Sequence, residues 1–89
     1  MKKIVEVQEV ENEGLMALLG EIVVLFCMNY IYTGKLTGVN TSCVLLEDAA
    51  IVYETGPHGD KKWKDAQPLG GGHYVQLSSI ESFGKTDKR

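Results

Sequence analysis

Residues 22 to 28, IVVLFCM, are apolar without interruption. A strand with one wet face alternates apolar and polar positions, so this run predicts a strand over about 21–29 that is covered on both faces. Just upstream, Leu15, Leu18 and Leu19 recur at i, i+3 and i+4. That spacing predicts a helix over about 12–19, with Asn12 as N-cap, Glu13 at the positive end of the helix dipole and Gly20 just past the end. Two turns of helix do not hold by themselves, so the leucines must dock. The helix on one side and a barrel interior on the other would cover the apolar strand. Ahead of it, KKIVEVQEV mixes valines with acids and fits either a short strand or an extended arm.

Two further long strands are predicted over about 30–40 and 42–54, with Asn29 and Asn40–Ser42 as turns, in an antiparallel meander. Residues 54–72 change character, with both prolines and five of the ten glycines among interspersed charges. They predict a long variable loop. Short strands at about 73–77 and 80–84 follow, parted only by Ser78–Ser79, and KTDKR reads as a flexible tail. Within the second strand, Gly34 and Gly38 alternate with Tyr32 and Leu36 on one face. Glycines weaken a strand but permit a sharp curl and close packing against neighbours. Five strands of this size make a core only when bent round on themselves. The expected fold is therefore mostly β: a small, strongly bent five-stranded antiparallel barrel with a short N-terminal helix, as a single domain over 1–89.

Composition sharpens this only modestly. The 89 residues are 44% hydrophobic and 24% charged, as expected of a folded chain. A net charge of −3 argues against a general phosphate-coating nucleic-acid binder, although local basic patches survive such averages. Cys27 and Cys43 lie in apolar, strand-like surroundings, which favours buried thiols in a reducing compartment and leaves one disulfide open. Glu6 and Glu9 interrupt any signal-peptide core, and the longest apolar run is far below the ~20 residues of a membrane span. A cytoplasmic protein with no membrane association is expected.

Candidate chemistry is sparse. KKWK at 61–64 is the best local cue for nucleic acid: Lys62 and Lys64 could meet phosphates while Trp63 stacks a base. The plainer reading pins Trp63 onto the barrel. GPHG at 56–59 has the form of a KH-domain loop but lacks flanking helices, and LGGGH opens no helix after a strand. His58, His73, Cys27 and Cys43 have no partner at metal-ligand spacing, so no metal and no cofactor are expected. No serine or cysteine has a base and an orienting acid beside it, and no enzymatic activity is expected.

Helix, bent meander and tight final turn together resemble the Sm-like family of Sm, LSm and bacterial Hfq proteins. The match is carried by Gly20, the apolar strand, Tyr32-x-Gly34-x-Leu36-x-Gly38-Val39-Asn40 and Val44–Ala49. Val75–Ile80 looks like the Hfq form of the last turn. The resemblance implies a homo-oligomeric ring, typically of about six or seven copies, in which the fourth strand of one copy pairs with the fifth of the next. Tyr74, Val75, Leu77, Ile80 and Phe83 then stand at the subunit interface. The edge sequence HYVQLSSIESF suits this, carrying one charged residue, Glu81, and no proline or lysine to protect an open edge. Alternatively, these edges pair within the monomer or lie under the N-terminal arm.

In the family, single-stranded RNA binds on two loops at the inner rim. The resemblance carries these loops onto Asn40, Thr41 and Ser42, and onto Ser78 and Ser79 with Tyr74 nearby. Asn40 stands where the family has aspartate, and the loop is one residue short. No aromatic stacker or base-reading asparagine follows it. Ser78–Ser79 replaces the usual Arg-Gly pair, and Tyr74–Val75 stands where Hfq has Lys-His. Stacking supplies ~1–3 kcal/mol per base and cations supply most non-specific affinity, so RNA binding at this rim should be weak. The resemblance implies non-catalytic RNA binding or RNA chaperoning. The alternative is an oligomeric protein–protein scaffold that lacks the usual RNA site.

Overall fold

The computed structural model describes residues 14–57 and 59–88. The predicted arm at 2–10, the Asn12 cap and His58 lie outside them. The protein is mostly β, an antiparallel sheet of six strands with little helix. In chain order come α1 (Gly14–Ala17), β1 (Ile22–Cys27), β2 (Ile31–Val39), β3 (Cys43–Glu54), β4 (Asp65–Pro68), β5 (Gly72–Gln76), a 3₁₀ turn at Leu77–Ser79 and β6 (Ile80–Lys85). The sheet runs β4-β3-β2-β1-β6, and β5 also pairs with β3. No pairing closes β6 onto β4 or β5 among the described residues.

The helix ends earlier than its leucine spacing suggests. After Ala17 the chain tightens into i→i+3 bonds, Leu18 N–H to Leu15 and Glu21 N–H to Leu18, with Gly20 at φ +87°. Gly20 N–H donates to the Leu36 carbonyl and Leu36 N–H to that of Glu21, so the segment is tied to β2. Leu15 and Leu18 pack on the core, whereas Leu19 is 40% exposed.

The expected loop at 54–72 contains a strand. β4 pairs with Ala50–Glu54 of β3, while β5 pairs with Cys43–Glu47 on the same side. DAQP has no strand-forming signature. It is extended because β3, at 12 residues, offers a ladder longer than β5 can fill. Pro68 is tolerated because β4 is an edge strand. Between the two half-strands Gly70 and Gly71 take φ of +72° and +56°, a left-handed pair that breaks the run.

The ladder is irregular where the two glycines lie. Register shifts occur between Thr33 and Lys35 and again between Leu36 and Gly38. Opposite the first, Asp48 adopts φ +51°, a non-glycine residue in the left-handed region, as a bulge residue can. A Cβ on Gly34 would come within 2.9 Å of the Glu47 carbonyl oxygen, so this crossing admits only glycine without backbone movement.

The core is Val23, Leu25, Leu36, Val44, Leu46, Ala49 and Val75. Val24 is buried too, so the second face of β1 is covered at that position. Phe26 on the same face is 40% exposed and Met28 73%, so the cover is narrower than the unbroken apolar run suggests. The second cover differs from the one expected: Val24 lines a cavity with Trp63, Thr86 and Lys88, whereas the leucine helix packs with the Val23–Leu25 core. Thr86 and Lys88 are accordingly docked and not loose. Thr86 N–H donates to the Ile22 carbonyl at 2.9 Å, and Lys88 is 9% exposed. Cys27 and Cys43 are free thiols, both half-buried. No helix among the described residues is long and apolar enough to cross a membrane.

Candidate functional site

The β2–β3 turn and the 3₁₀ turn meet at one rim of the sheet. Leu77 N–H donates to the Ser42 carbonyl at 2.9 Å, joining them directly. Asn40 builds the first turn: its Oδ1 accepts from Ser42 N–H at 2.8 Å, Cys43 N–H at 2.9 Å and the Ser42 hydroxyl at 3.1 Å. This Asx turn uses the side-chain oxygen that would otherwise face a ligand. Thr41, Ser42 and Ser78 are exposed. Ser79 is half-buried, and its carbonyl accepts from Met28 N–H at 3.1 Å, tying the β1–β2 hairpin to the same rim.

The sequence-derived interface residues fall into two groups. Val75 is 4% exposed and belongs to the core, so only its backbone edge faces outward. Leu77 and Ile80 are half-buried against the core. Tyr74, 68% exposed opposite Leu45, and Phe83, 42% exposed opposite Leu25, project from β5 and β6.

Lys62, Trp63 and Lys64 lie apart from this rim. Trp63 lines the cavity shared with Val24 and the C-terminal residues, whereas Tyr74 and Ser79 line a different groove. Lys64 Nζ pairs with Glu54 at 3.3 Å and Lys62 is exposed. Trp63 is half-buried with its indole N–H enclosed and without a partner among the described residues, and Lys88 Nζ lies 5.1 Å from its ring centroid. Lys88 thus takes one face of the ring and leaves less of it for a base to stack on.

Sequence reasoning overlooked a cluster of aromatics beside the rim. Tyr32 stacks on His73 at 5.4 Å and 26°, across β3, and Tyr30 meets Tyr32 edge-on at 6.2 Å. The alternation of Tyr30 and Tyr32 put both rings on one face of β2 and could have signalled this; the partnership with His73 depends on how β5 returns. Burial, then the neighbouring Cys27, Tyr30 and Tyr53, raises the Tyr32 hydroxyl pKa. Burial, then the Glu81 carboxylate, raises the Cys27 thiol. No group of three or more His, Cys, Asp or Glu side chains that could hold a metal occurs among the described residues. No family model and no curated protein matches this chain.

Proposed function

We propose that this chain is a non-catalytic, Sm-like module that joins copies of itself into a cytoplasmic ring and serves as a protein–protein scaffold. The supporting observation is that, among the described residues, β4, β5 and β6 each pair with one neighbour only. β5 carries no formal charge and β6 carries Glu81 and Lys85, so little opposes strand addition. Exposed Tyr74 and Phe83 beside those edges supply apolar area for a seam. In this reading β4 and β5 are halves of one return strand, and the sheet curls into a five-stranded barrel completed by its neighbours in a closed ring.

RNA binding at the rim is the second reading. It is favoured by the direct bond between the two turns that the resemblance assigns to RNA, with Thr41, Ser42 and Ser78 exposed on them. It ranks second because Asn40 is engaged in its own turn, Lys88 takes one face of Trp63 and Lys64 is paired. Native mass spectrometry tests assembly: a single closed oligomer supports the ring, and a monomer at micromolar concentration overturns it. Fluorescence anisotropy with U-rich and A-rich oligonucleotides separates the readings. Binding that weakens as salt rises favours RNA; a flat response at low salt favours the scaffold.

A further inference from the structure

The β1–β2 hairpin and β5 border a groove of about 260 Å³, lined among others by Cys27, Met28, Tyr30, Tyr32, Tyr74 and Gln76. The rings of Tyr30 and Tyr32 stand at 62° to one another, forming a corner. The stack on His73 holds the Tyr32 wall in place. Tyr30 and Tyr74 are 49% and 68% exposed, so their rings are open to a visitor. Aromatic faces carry negative potential, and no lysine or arginine among the described residues lines this groove. Glu81 adds a carboxylate close enough to Cys27 to help raise its thiol.

The other aromatic cavity provides a contrast within the same molecule. There the Trp63 ring is matched by an internal ammonium, that of Lys88, at 5.1 Å. The tyrosine groove has several rings and, among the described residues, no such cation lining it.

We propose that the tyrosine groove binds a methylated ammonium cation, either on a small free molecule or on a methylated lysine side chain. A bare ammonium is strongly hydrated, whereas methylation lowers that cost and spreads the charge over a surface that fits between rings. Tyr30, Tyr32 and Tyr74 supply the faces, and Glu81 supplies long-range attraction. The groove shares Tyr74 with the proposed seam and Ser79 with the 3₁₀ turn of the rim.

The test is an NMR titration of the tyrosine ring resonances of the full chain. Probes are choline, its neutral isostere 3,3-dimethylbutanol, and a peptide carrying trimethyl-lysine. Choline and the peptide should shift Tyr30, Tyr32 and Tyr74 saturably, with the isostere leaving them in place. Tighter binding of the peptide assigns the side-chain source, and tighter or equal binding of choline assigns the free one. Tyr30→Ala and Tyr74→Ala should each weaken binding by about three-fold, with the phenylalanine variants close to the parent. Both side chains are exposed, so unchanged melting temperatures certify the variants. Equal shifts with the isostere, no saturable shift with either cation, or alanine variants that bind like the parent would overturn the proposal.

Discussion

Lys88 Nζ lies 5.1 Å from the centre of the Trp63 ring and donates a 2.8 Å hydrogen bond to the Pro57 carbonyl. One side chain thus fastens the C-terminal residues to the 55–64 loop and closes the outer cover of β1. The aliphatic stem packs while the charge finds a ring and a carbonyl, as long cationic side chains do when drawn inward. Replacing Lys88 by alanine should cost about 1–2 kcal/mol and red-shift tryptophan emission as water reaches Trp63. Thermal melts with fluorescence readout check both. An unchanged emission maximum would mean the tail does not cover the ring.

Gly34 and Gly38 make a matched pair of opposite expectation. A Cβ at 34 meets the Glu47 carbonyl at 2.9 Å, and a Cβ at 38 meets only the Leu45 Cβ at 3.4 Å. Gly34→Ala should therefore destabilise by about 2 kcal/mol or more, since backbone must shift, while Gly38→Ala stays within about 0.5 kcal/mol. Urea unfolding of the two variants measures the difference. Equal costs would show that close approach at Gly34 is not what the glycine serves.

Asn40 separates a structural from a ligand-binding role. Its oxygen accepts three hydrogen bonds within its own turn. Asn40→Ala should cost about 1–2 kcal/mol, and Asn40→Asp, which keeps the acceptor, should stay near the parent. Chemical denaturation reads this directly. A fully stable alanine variant would return Asn40 to the list of groups available to a ligand.

The Cys27 thiol, raised first by burial and then by Glu81, should react slowly with a disulfide reagent at neutral pH. Glu81→Gln removes one cause, lowers the thiol pKa and should accelerate the reaction at fixed pH. The linkage follows in sign. A thiol whose folded pKa is raised keeps its contribution to stability below the unfolded thiol pKa and loses it as pH climbs above that value. Tyr32 acts in the same direction at higher pH. Alkaline denaturation curves of parent and Cys27→Ala should converge on the alkaline side of the thiol transition.

What the chain states locally was legible. The unbroken Ile22–Met28 run announced the strand, and both faces are buried at Val23–Leu25, but Phe26 and Met28 stay exposed, so the run overstated its cover. Gly34 and Gly38 announced irregular ladder positions, and both lie at register shifts. The paired serines announced the tight turn before the last strand. Asn40–Ser42 and Ser78–Ser79 were legible as turns from their residue types, whereas their nomination as a binding rim came from the family resemblance. Three features were not legible, and each depends on segments distant in the chain. β4 is a strand only because β3 outruns β5, which no property of DAQP discloses. The tail is fastened only because Lys88 meets Trp63 and Pro57, 25 and 31 positions earlier. The tyrosine groove exists only because β5 folds back to put His73 on Tyr32 and Tyr74 across from the first hairpin. Short-range side-chain chemistry selects extended, turned or helical backbone by itself. Which surfaces are then left open or covered is a matter of long-range contact, and that was decided by the tertiary structure.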